Sequence, residues 1–219
     1  MDLIDKYFKI IGPKLDTQVM KYMGFDQEQQ WELELRLGDM LGQEGIDNII
    51  KDITKGIVEI TEGGYHLRVK FTNWDIYKIN VGDRPHQNVS SWTLDDIEVL
   101  VDPKSTVDVV GGNGHEYELG DLYNYSDIDE LNANYNTEDN PITEDVINEI
   151  GYEVQDVING WLIKQIWPLT GIDVGDIYPN NARHFDLKEQ NHKYLKTKMN
   201  VVESIKRIGD LMTDKPIKN

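Results

Sequence analysis

A change of hydrophobic period near residue 56 constrains this chain more than any other feature. Before it, apolar residues recur at helical spacing; after it, they alternate. Ile57-Val58-Glu59-Ile60-Thr61 and Tyr65-His66-Leu67-Arg68-Val69-Lys70-Phe71 flank Gly63-Gly64. Paired glycines supply the positive φ of a two-residue primed turn, so the pattern predicts a β-hairpin. Further strands are expected at 74–81, 92–101, 106–110 and 115–119, with Gly111-Gly112-Asn113-Gly114 joining the last two. A mostly antiparallel sheet over about 57–120 thus follows a helical N-terminal part.

That N-terminal part divides into short pieces. Residues 2–11 predict a helix with Ile4, Phe8 and Ile11 on one face, ended by Gly12-Pro13. Residues 16–23 add a turn or two. Trp31 to Leu37 alternates like a strand, yet positions 20–45 hold no Ile, Val or Thr and are rich in Gln, Glu, Leu and Met. That composition favours a helix over 26–41, with Asp26 as N-cap, and a further helix follows over about 45–54.

Beyond the sheet, residues 120–142 are rich in Asn, Asp and Tyr and read as a long acidic loop. Thr143 then caps a long helix with Val146, Ile147, Ile150, Val154, Val157, Ile158, Trp161 and Leu162 on its apolar face, stopped by Trp167-Pro168. Residues 168–185 read as irregular, and a last helix is expected over about 186–212. The sum is one α+β domain spanning 1–219: a helical start, an antiparallel sheet, an acidic loop excursion and two long C-terminal helices.

Charge is distributed unevenly along this plan. Residues 105–163 hold 14 carboxylates and no Lys or Arg. Over 95–159 the net charge is −17, against −18 for the whole chain. Residues 186–219 carry eight Lys and Arg against five Asp and Glu, a net of +3, with Lys188, Lys193, Lys196, Lys198, Lys206 and Arg207 among them. Asp145, Glu149, Glu153 and Asp156, at spacings of four, four and three, line one helix face. No lysine lies three or four residues away to offset them. A solvated face is the plain reading; a docking face for a basic protein surface is the functional one. Tyr123, Tyr125 and Tyr135, set among carboxylates, suggest a recognition surface on the acidic loop.

Several chemistries find no support. The chain has no cysteine, which removes disulfides, thiolate metal sites and a cysteine nucleophile. A G-x-S-x-G elbow, a P-loop, a dinucleotide fingerprint and a metal-ligand spacing such as H-E-x-x-H are missing. The acidic run from Asp127 to Asn134 has Leu131 and Asn132 where an EF-hand needs an oxygen ligand and glycine. Asp102-Pro103-Lys104, with Asp83 upstream, has the acid then acid-x-lysine order used by Mg²⁺-dependent nucleases, but Pro103 would break a strand there and the setting repels phosphate. No cofactor, metal or catalytic residue is therefore expected.

The same repulsion argues against direct contact with nucleic acid or anionic lipid. No apolar run reaches the ~18 residues of a membrane span, and the start lacks the features of a signal peptide, so a cytoplasmic, host-cytoplasmic or virion setting is expected. The leading expectation is a non-enzymatic structural subunit of a large homo-oligomeric assembly, in concrete form a bacteriophage connector or tail-ring protein. The alternative is an acidic inhibitor or immunity-type protein that masks a basic, nucleic-acid-binding partner. An enzyme of unknown class stands third.

Overall fold

The computed structural model describes residues 2–81, 89–108, 116–124, 128–135 and 141–174. The chain is an α+β protein with the element order expected from the pattern of periods. Helices α1 (Leu3–Ile11), α2 (Thr17–Tyr22) and α3 (Gln27–Ile53) come first. Asp2, Asp16 and Asp26 cap them, each accepting from backbone N–H groups that a helix start leaves unpaired. At Asp26 the arrangement is a full capping box: the Asp26 carboxylate accepts from Gln29 N at 2.8 Å, and Gln29 Oε1 accepts from Asp26 N at 3.1 Å. Leu33 and Leu37, four residues apart, are fully buried, so the strand-like alternation around Trp31 yields to helical composition. The two helices expected over 26–41 and 45–54 join at a kink, where Gly42 has φ 63° and ψ 175°.

Strands β1 (Val58–Glu62) and β2 (Tyr65–Val81) form the expected hairpin, with Gly63 and Gly64 at φ 60° and 85°. The separate strand expected at 74–81 is the outer half of β2. The long partner β3 (Val89–Val101) holds it in register as far as Val81↔Val89. Register shifts around Asn73 absorb the irregular pattern there. Short strands β4 (Thr106–Val107) and β5 (Tyr117–Glu118) complete an antiparallel sheet in which β2 pairs with β1, β3 and β4.

The region expected to be a long loop differs most. Within 120–142 the chain forms α4 (Leu119–Asn124) and α5 (Ile128–Tyr135). Leu119, Leu122, Tyr123, Leu131 and Ile142 are buried in the main core. Their few apolar side chains fall at helical spacing, and that outweighs the turn-forming Asn and Asp around them. Asn132 ties the segment shut, bonding to both Ile142 N and Ile142 O.

The last described helix, α6 (Glu144–Thr170), starts at Thr143 as expected and buries Ile150, Val154, Ile158 and Leu162. It passes through Pro168 for most of a turn and ends at Gly171, whose φ of 69° makes the left-handed cap. Pro168 supplies no donor to the preceding turn and lies within the last turn of the helix.

Two hydrophobic clusters result. The larger lies between the sheet, the second half of α3 and α6. The smaller joins α1, α2 and the first half of α3 around Tyr7. The Tyr7 hydroxyl accepts from Asp16 N at 2.5 Å, so this residue anchors α1, alongside the expected Ile4. The loop at 111–114 and the helix expected over 186–212 lie outside the described residues.

Candidate functional site

The exposed side of α6 is the most distinctive surface among the described residues. Its position follows from local rules. Thr143 Oγ1 accepts from Val146 N at 3.3 Å, and Glu144 and Asp145 favour the positive end of the helix dipole. Apolar side chains seat the inner side against the sheet, with Trp161 stacked on Phe71 at 5.8 Å between ring centroids. The remaining arc must face outward.

Asp145, Glu149, Glu153 and Asp156 all lie on that arc and are exposed. At 3.6 residues per turn they fall within about 80° of one another. Among the described residues none of the four takes part in a salt bridge. The only cation in α6, Lys164, is held by Glu62 at 2.5 Å. Three neighbouring like-charge pairs at about 0.2–0.5 kcal/mol each cost roughly 1 kcal/mol of helix stability.

One of the four is tied to the sheet. The hydroxyl of Tyr65, the first residue of β2, donates to Glu153. Burial raises the Tyr65 phenol above the ordinary tyrosine range, and the Glu153 hydrogen bond with the charges of Glu149 and Asp108 adds to it. Asp108 follows β4 and donates its N–H to Gly64 O at 2.9 Å, which brings a further carboxylate to the same end of the hairpin. Thus the acidic face extends from α6 onto the sheet edge. The sequence carries no signal for the Tyr65–Glu153 contact, since the two are 88 positions apart.

The tyrosine surface expected on the acidic loop is corrected for Tyr123. This residue is 4% exposed in the main core, because Leu119, Leu122 and Tyr123 share the buried side of α4. Its hydroxyl is buried without a hydrogen-bond partner among the described residues, and burial raises its pKa, with Tyr65 nearby adding to the effect. Tyr135 closes α5, while Tyr125, Lys196, Lys206 and Arg207 lie outside the described residues.

Each of the two metal-like motifs is described in part, since Asp83 of the acid-x-lysine set lies outside the described residues. Asp127 lies outside the described residues, and the run after it is α5. Asp102 is buried, bridges to Arg68 at 3.3 Å and accepts from Lys104 N at 3.0 Å, the geometry of a turn. No group of three His, Asp or Glu among the described residues is placed to hold a metal ion. No described helix is long and apolar enough to cross a membrane. No protein-family model matches this chain, and neither a curated protein nor a solved structure matches it.

Proposed function

We propose that this chain is a non-enzymatic interaction subunit that docks onto a basic protein surface through the acidic face of α6. The observation that carries the reading is the alignment of four exposed carboxylates with no cation among the described residues to offset them. A basic partner would convert the roughly 1 kcal/mol of self-repulsion into attraction and would speed encounter. The sequence itself contains a candidate for that partner: residues 186–219 of a second copy carry a net charge of +3. Head-to-tail contact of this kind closes into rings, the architecture of a virion connector or tail-ring subunit. The competing reading, an acidic inhibitor of a nucleic-acid-binding protein, uses the same face on a different partner.

The test replaces all four residues, as D145N/E149Q/E153Q/D156N, and measures circular dichroism and sedimentation at low and high salt. We expect the wild-type chain to form oligomers that weaken with salt. The variant should keep its fold, since Gln at position 153 still accepts from Tyr65, and should sediment as a monomer. A salt-insensitive oligomer that survives the four substitutions would remove the acidic face from the assembly. A wild-type monomer that binds a basic partner protein through this face would favour the inhibitor.

A further inference from the structure

The two ends of α6 carry charge of opposite sign. The four carboxylates of its outward arc occupy the first half of the helix, from Asp145 to Asp156. Its far end is seated on the N-terminal helices: Leu15 N donates to Pro168 O at 2.7 Å, and Trp167 packs on the cluster around Tyr7. At 1.5 Å per residue, Asp156 and Asp145 lie about 18 and 35 Å along the axis from Pro168.

Lysines stand on those N-terminal helices. Lys6 and Lys9 of α1, Lys14 beside Leu15, and Lys21 of α2 are exposed. Among the described residues none of them takes part in a salt bridge. The carboxylates of the same stretch are already engaged. Asp2 and Asp5 bridge to Arg36 at 3.3 Å, and Asp16 caps α2 by accepting from Gln18 N and Val19 N. At the start of α3, Asp26 belongs to the capping box and Glu32 bridges to Arg36, which leaves Glu28 exposed. The other described lysines without a salt bridge, Lys55, Lys70 and Lys104, lie singly along the chain.

Each charged surface also has an exposed apolar side chain. Ile10, 71% exposed, falls within about 100° of Lys6 and Lys9 around α1. Tyr152, 45% exposed, borders the carboxylate arc of α6. Exposed ion pairs alone contribute little, so apolar contact at their centre is what holds such a seam. Within one chain the two surfaces cannot offset each other, because charge is screened over about 8 Å at physiological ionic strength. Between two chains no such distance intervenes.

We infer, on the reading of α6 as a docking face, that its occupant is the lysine surface of α1 and α2 in a second copy of this chain. Lys6, Lys9, Lys14 and Lys21 meet the carboxylates, and Ile10 and Tyr152 supply the apolar contact. Because the two surfaces sit at opposite ends of α6, each copy still offers one surface after the other is filled.

The test is complementation between two full-length variants. K6Q/K9Q/K14Q/K21Q removes the lysines, and D145N/E149Q/E153Q/D156N removes the carboxylates. All of these side chains are exposed, so circular dichroism should show both folds kept. Should the lysine variant lose its fold, K6Q/K9Q carries the same comparison. Sedimentation at low salt should show each variant alone as a monomer. Mixed in equal amounts they should form a complex of two chains, since each retains the surface the other lacks, and high salt should dissociate it. A lysine variant that oligomerises like the wild type would overturn the inference while leaving the acidic docking face in place. Two monomers that stay apart on mixing would overturn it as well, and so would a monomeric wild type. An acidic variant that still oligomerises would remove the docking face itself, and this occupant with it.

Discussion

Replacing Gly171 by alanine tests how the end of α6 is locked onto α3. Two costs are expected. Gly171 has φ 69° and ψ 13°, the left-handed region, where an L-residue costs about 1–2 kcal/mol. In addition, a Cβ there would lie 2.7 Å from Glu34 O and 3.0 Å from Glu34 Cα. Both are backbone atoms of a helix, so neither can rotate aside, and overpacking of this kind costs about 1–3 kcal/mol more. The sum, roughly 2–5 kcal/mol, is a large share of a typical domain's stability of about 5–15 kcal/mol. Gly24 and Gly56 provide the control. They have φ 77° and 78°, but a Cβ at either meets nothing within 4 Å, so alanine there should cost only the conformational part. Urea denaturation of the three variants measures the difference, which for a slope of about 2 kcal/mol per molar places the G171A midpoint ~0.5–1.5 M below the controls. Equal midpoints for all three would refute the close approach of α6 to Glu34.

Two further outcomes follow from the titrating groups. Burial raises the Glu34 carboxyl, with the Asp173 charge adding to it and the Trp167 side chain acting against it. The folded state therefore holds that proton more tightly, so its contribution is full below the unfolded value of 4.5 and is lost as pH rises through the folded one. E34Q should flatten the fall in melting temperature across that interval, and an unchanged slope would show that Glu34 is not desolvated. The Tyr65 phenol is raised by burial first, so its contribution is full below the ordinary value of 10.0 and is lost in stronger alkali. Y65F should cost about 0.5–1.5 kcal/mol at neutral pH through the lost bond to Glu153 and should shrink the alkaline loss of stability. An alkaline profile identical to wild type would contradict the buried phenol.

Local chemistry made much of this fold legible in one dimension. Gly63-Gly64 set the hairpin, because a primed turn needs positive φ at both central positions. Asp26 and Thr143 set two helix starts by offering an acceptor to unpaired N–H groups. The acidic arc of α6 was readable too, since helical spacing alone brings 145, 149, 153 and 156 to one side. Long-range packing decided the rest. Whether 65–81 is one strand or two depended on β3 lying alongside it. The helices within 120–142 depended on a core that receives Leu122, Tyr123 and Leu131, against a polar composition that locally favours turns. The role of Gly171 depended on Glu34, 137 positions earlier, passing too close for a side chain. Periodicity and capping act within a turn or two of chain and so can be read from it; burial and close approach join distant residues, and only the assembled core determines them.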